Sequence, residues 1–250
     1  MTATGRVAAE FDAAWRSFLR RKTAVFFTFF FPVLLIVIFG ALVRTDPGAG
    51  GGLFTEPPEY YVPGYVATVV LFTPLSRLGS TVARHREGNR FEKLATTPLS
   101  RAEWLAARTL VNTVIIGIAS LLVLVLVAVL TGAALPLSPL LVPYIVFGVV
   151  LFCGVGAVLG AVTESQDGAV TASNTIGLPL LFLSDTFVPP ELLPEWFGPL
   201  QNLSPLTYFA RGVRALTPGQ SGDPLGPLAI LAVLAAISFV IGAYAIPQTD

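Results

Sequence analysis

The hydrophobic positions of this chain fall into six long runs, and the polar positions gather in the gaps between them. The runs cover residues 24–43, 60–82, 110–131, 140–162, 170–188 and 225–246. Each is close to the length of about 20 helical residues that crosses about 30 Å of hydrocarbon. The pattern therefore predicts an all-α integral membrane protein with six transmembrane helices. The gaps differ in character. Residues 44–59 are rich in Gly and Pro and mildly acidic, 132–139 and 163–169 read as tight turns, and 189–224 is a long proline-punctuated segment. Ahead of the first run, Val7, Phe11, Trp15, Phe18 and Lys22 recur at three- and four-residue spacing, while Arg6, Asp12, Arg16 and Arg20 fall elsewhere on the wheel. This predicts an amphipathic helix over residues 5–22. It either lies in the headgroup layer or acts as a basic flank that orients the first span. The first run has 20 residues. A signal-peptide core has about 7–15, so cleavage there is not expected.

One polar stretch stands apart. Residues 84–99 read RHREGNRFEKLATTPL, and from Arg84 to Ala95 the charges are Arg84, Arg86, Arg90 and Lys93 against Glu87 and Glu92, or 4 − 2 = +2. Phe91, Leu94 and Ala95 fall at i, i+3 and i+4, which gives a short helix one apolar edge. Thr97 precedes Pro98, so that helix should end by Thr96. Ser100 then opens Ser-Arg-Ala-Glu, a capping-box spacing that restarts a helix at Arg101 with Glu103 reaching back. With hydrophobic runs on both sides, the unit must sit in water against a membrane face.

Composition agrees with the spans. Hydrophobic residues make up 54% of the 250, only 12% are charged, and mean hydropathy is +0.76. Soluble domains carry about 25% charged residues. Fifteen basic residues balance fifteen acidic ones, so there is no nucleic-acid footprint. The lone Cys153 has no disulfide partner and reads as a small packing residue beside Gly154 and Gly156. The lone His85 reads as a solvated loop residue, and the two cannot build a zinc site. Twelve basic residues lie before span one, in or beside the 84–108 stretch, or at Arg77, whereas only Arg44, Arg211 and Arg214 lie on the other side. That asymmetry assigns both termini and the charged loop to the cytoplasm.

Polar residues within spans are expensive and mark packing seams or pathways. The fifth run carries Asn174, Ser184 and Asp185 among other polar residues, with Gly177 and Pro179 midway. Such a helix belongs inside a bundle or at a subunit seam. In 189–224, Pro190 and Pro194 suit helix first turns, and Trp196 suits an interface. Leu206, Phe209, Val213 and Leu216 mark one helical face with Arg211 and Arg214 on another. Two short external helices are expected there. Asp185 is either solvated at the mouth or paired with Arg211 or Arg214. No phosphate loop, nucleophile elbow or zinc-protease motif occurs.

Two blocks carry a family resemblance. The first is Arg86-Glu87-Gly88-Asn89-Arg90-Phe91-Glu92-Lys93-Leu94, followed by Thr97-Pro98 and Ser100-Arg101-Ala102-Glu103. The second runs from Ser184 through Pro194-x-Trp196 and Asn202-Leu203-Ser204-Pro205-Leu206-Thr207-Tyr208 to Arg211 or Arg214. Together they resemble the ABC-2 family of ATP-binding-cassette transporter permeases, with Asn89 where Thr is usual and Asp185 where Gly often follows the Ser. The resemblance implies a single transmembrane domain over 1–250 in the cell membrane, without an ATPase motif or bound cofactor of its own. It implies two partners, a separate ABC ATP-binding subunit that uses the ATP and a second permease chain. Glu87, Gly88, Arg90, Phe91, Glu92 and Leu94 would couple to the ATPase, with Phe91 and Leu94 giving the buried contact. Trp196, Tyr208, Arg211 and Arg214 would belong to outer helices that re-enter the membrane and roof the path. A self-sufficient secondary transporter would need mid-membrane carboxylates, and a membrane enzyme would need paired catalytic groups. The residues supply neither.

Overall fold

We describe a computed structural model that covers residues 2–38, 56–188 and 193–247, and all regular structure among these is helical. The helices are α1 (Ala3–Leu19), α2 (Lys22–Ile36), α3 (Pro58–Glu87), α4 (Arg90–Ala95), α5 (Arg101–Thr131) and α6 (Leu141–Val162). They continue with α7 (Gln166–Leu183), a 3-10 turn at Glu195–Phe197, α8 (Gly198–Gln201), α9 (Pro205–Ala215) and α10 (Leu225–Ala245). The end of the first predicted span, most of the 44–59 connection and Pro190 lie outside the described residues.

Local chemistry sets the helix ends. Ser100 closes a capping box, its hydroxyl accepting from Glu103 N (3.2 Å) while Ser100 N donates to Glu103 Oε2 (2.8 Å). At the other end of α5, Gly132 adopts φ 68° and its N–H bonds Ala128 O, the left-handed stop that glycine makes cheaply. Ser165 starts α7 by accepting from Gly168 N at 3.0 Å.

Four helices, α3, α5, α6 and α10, are long and apolar enough to cross a membrane. The boundaries depart from the sequence expectation in four places. The second predicted span does not stop at residue 82 but runs on to Glu87, and the restart at Arg101 is continuous with the 110–131 run in one 31-residue helix. The predicted 5–22 helix is also shorter. It ends at Leu19, the chain turns at Arg20–Arg21, and Lys22 opens α2 instead of extending the amphipathic face. α7 carries Ser184 only as its cap, so residues 184–188 leave the helix.

α3 is the centre of the bundle and α10 its edge, with 72% of the apolar stretch buried in the first and 17% in the second. α6 lies between them and meets both through glycines. A Cβ on Gly156 would lie 2.5 Å from Leu75 O, and one on Gly160 would strike Gly79 O, so the two backbones touch along a small-xxx-small seam. On its other side, Gly154 and Gly242 bring α6 against α10. Cys153 is fully buried in this packing, as expected. α5 leaves one row exposed, Leu110, Val114, Ile118, Leu121, Val125 and Val129. That row is purely apolar and suits lipid.

α1 is strapped alongside α5 in the same direction. Arg6 pairs with Glu103 (2.5 Å), Glu10 with Arg108 (2.6 Å), and Ala14 and Phe18 pack with Val111 and Ile115. Every fourth residue of α1 thus meets α5. Donating to the Glu103 carboxylate raises the Arg6 guanidinium above its ordinary pKa.

Candidate functional site

The polar residues collect at the two ends of the bundle and along a cavity between them. At the charged end, α3 stops with Gly88, and Asn89 turns the chain with φ 48°, the one non-glycine residue with positive φ among those described. Asparagine tolerates this left-handed conformation better than most residues. α4 follows as one and a half turns. Thr97 secures its last turn, the backbone N–H at 2.9 Å and the hydroxyl at 2.7 Å both donating to Leu94 O. The helix ends at the expected place.

What holds α4 down is an aromatic trio. His85, Phe91 and Trp104 meet pairwise at ring-centroid distances of 5.3–5.5 Å, and all three are buried. This corrects one sequence expectation and qualifies another. His85 is not a solvated loop residue, and its Nδ1 lies 2.8 Å from Thr81 O. Phe91 is packed mainly on its own chain, with 6% exposure, and shows only an edge to the groove beside α4. Its neighbours divide cleanly. Leu94 is half-buried, while Glu87, Arg90, Glu92 and Lys93 are exposed. Glu87 accepts from Gln166 N at 2.8 Å, and Arg86 donates to Ala161 O, so the end of α3 grips the α6–α7 turn. Arg101 donates to Ile246 O at 2.7 Å, tying the start of α5 to the end of α10. Between α4 and α10 runs a groove of about 800 Å³, whose lining includes Leu94, Leu99 and Tyr244.

At the opposite end Asp185 is 2% exposed and clasps α9. Arg211 Nε donates to its Oδ2 at 2.7 Å. Arg214 Nη1 lies 3.5 Å from the same oxygen, and Arg214 Nη2 donates to the Asp185 carbonyl at 2.8 Å. Both arginines named from the sequence are therefore engaged, and the solvated alternative is excluded. Arg214 also stacks over the Tyr60 ring, 3.9 Å from its centroid, which brings in α3. Leu206, Phe209 and Val213 form the buried face of α9 as expected. Tyr208 donates to Asn202 O, and Trp196 stays 68% exposed.

Between the ends lies a cavity of about 1100 Å³ bounded by α1, α2, α3, α5 and α7. Asn174 lines it, whereas Ser184 and Asp185 do not. Ser184 bonds Leu181 O and the Thr186 hydroxyl instead. Four residues of the lining, Arg21, Arg77, Arg84 and Arg108, entered the sequence reading only through their charge count. A signal was present, since Thr73, Arg77, Ser80 and Arg84 recur at three- and four-residue spacing and make a polar stripe on an otherwise apolar helix.

Comparison with known proteins agrees with this layout. A family model described as ABC-2 type transporter matches residues 7–217. The Daunorubicin resistance ABC transporter permease protein DrrB1 of Streptomyces coeruleorubidus is 28% identical over 182 residues, covering 69% of this chain and 63% of its own. A protein named as a transport permease, ycf38, in Cyanophora paradoxa is 24% identical over 191 residues, covering 74% of this chain and 64% of its own. The chain thus spans somewhat under two thirds of these relatives' lengths. With a matching family model over most of its residues and four helices able to cross a bilayer, this chain is a multi-pass membrane protein that belongs to the ABC-2 type transporter family.

Proposed function

We propose that this chain is the membrane-spanning permease subunit of an ABC exporter, working as a dimer of permease chains with a separate ATP-binding subunit. The observation that carries the reading is the construction of α4. Its apolar anchor, Phe91, is held mainly by His85 and Trp104, while Arg90, Glu92, Lys93 and the edge of Leu94 are offered outward beside a groove. A short helix fixed rigidly to the ends of α3 and α5, with a charged free face, suits the transfer of force from a partner. Charge would set register and Leu94 would supply buried area. In this reading the chain forms one domain over 1–250 in the cell membrane. α2 and α7 complete six spans, α8 and α9 re-enter the membrane from outside, and both termini are cytoplasmic. The chain holds no cofactor, and ATP is used by the partner.

Topology is tested by single cysteines in a Cys153→Ala background. With an impermeant maleimide on intact cells, Glu195→Cys should react and Lys93→Cys should react only after permeabilisation. The reverse pattern overturns the orientation and the coupling assignment with it.

A further inference from the structure

The cavity is amphipathic along its length. Its lining on α3 extends from Tyr65 to Arg84, about 28 Å at 1.5 Å per residue. Toward one end the walls are Tyr65, Phe72, Leu178 and Phe182. Toward the other they are Arg21, Arg77, Arg84 and Arg108, with Ser80 and Thr81 between them. No Asp or Glu lines the cavity among the described residues. Arg108 has a carboxylate partner, Glu10 at 2.6 Å, and Arg77 rests on the Phe18 ring at 4.1 Å. Among the ion pairs of the described residues, none includes Arg77, Arg84 or Arg21. Arg77 Nη1 and Arg84 Nε are buried without a hydrogen-bond partner.

Guanidiniums drawn together without counter-charge repel one another and lose hydration, which favours an incoming anion. Their planar forks match phosphate and carboxylate oxygens in a bidentate manner. The apolar end offers aromatic and aliphatic surface but few groups that would hold a second polar head. We propose that this cavity binds an anionic amphiphile, with a phosphate or carboxylate head on Arg77 and Arg84 and an acyl or aromatic tail along Tyr65, Phe72, Leu178 and Phe182. That the amphiphile is cargo rests on the permease reading. That it binds does not.

The test uses the full chain purified in a neutral maltoside detergent without any ATP-binding subunit. Binding is measured for lysophosphatidic acid, for lysophosphatidylcholine and sphingosine as zwitterionic and amine counterparts, and for glycerol 3-phosphate as a head without a tail. Lysophosphatidic acid should bind, and the other three should bind at least about tenfold more weakly. Arg77→Gln with Arg84→Gln should weaken it by roughly tenfold or more, as expected for lost charge-assisted hydrogen bonds. Arg20→Gln, outside the cavity, should leave it unchanged. If the double variant loses thermal stability, Ser76→Trp, which fills the cavity while keeping both arginines, should abolish binding instead. Equal binding of sphingosine overturns the anionic preference, and equal binding of glycerol 3-phosphate overturns the amphiphile. Unchanged binding in Arg77→Gln/Arg84→Gln or in Ser76→Trp overturns the site. None of these results touches the coupling of α4, which is read with the ATP-binding subunit present.

Discussion

One carboxylate, Asp185, holds two guanidiniums at one end of the bundle, whereas at the other end arginines line a cavity that has no carboxylate in its described lining. The first arrangement is closed. Both guanidiniums share one carboxylate, which ties α9 to the end of α7 and, through Arg214 on Tyr60, to α3. The second is open, and there the fixed element is positioned by aromatic packing of Phe91 on His85 and Trp104. The difference teaches what the charges do in each place. Paired charge acts as a fastener, while unpaired charge beside a rigid anchor is left free to meet something else.

The largest effect should come from opening the fastener. Asp185→Ala leaves Arg214 buried without its carboxylate, and breaking a buried pair on one side destabilises by roughly 3 kcal/mol, the low end of the range because Arg211 remains partly in water. The melting temperature of the purified protein should fall, and Asp185→Arg combined with Arg211→Asp should recover part of the loss. A double-mutant cycle without coupling between Asp185 and either arginine would contradict the clasp.

Next comes the anchor at the charged end. Phe91→Ala removes a buried ring, which in a well-packed site destabilises by about 3 kcal/mol. Here the penalty should fall on α4 more than on the spans. Hydrogen exchange over Arg90–Ala95 should rise while α3 and α6 stay protected. Equal loss of protection across the spans would mean that the trio belongs to the global core.

These contrasts also mark what could be read from the chain. The end of α4, the Ser100 capping box and the buried face of α9 were legible because each depends on residues a few positions apart. The Asp185 pairing was legible only as one of two alternatives, with its partners narrowed because few basic residues lie on that side. His85 was not. Its burial depends on Trp104 arriving from α5, and a lone histidine in a charged stretch carries no local sign of that. The α1 strap was equally hidden, because Arg6 and Glu103 are brought together across 97 positions. Two of the four cavity arginines, Arg77 and Arg84, were visible in a stripe on α3, but its meaning required α2 and α7 to be placed opposite.

The smallest structural effect carries the greatest functional weight. Leu94 is half-buried at the edge of the groove and packs only partly on the core, so Leu94→Asp should lower stability by about 1 kcal/mol, less than either change above. The direct measurement is binding and ATPase activity of the ATP-binding subunit reconstituted with wild-type or Leu94→Asp permease in the same lipid. The coupling account predicts a folded protein with only a small fall in melting temperature and binding or stimulated ATPase activity reduced by roughly tenfold, the scale of an interface hot spot. Full binding and full stimulation by a correctly folded Leu94→Asp chain would contradict it.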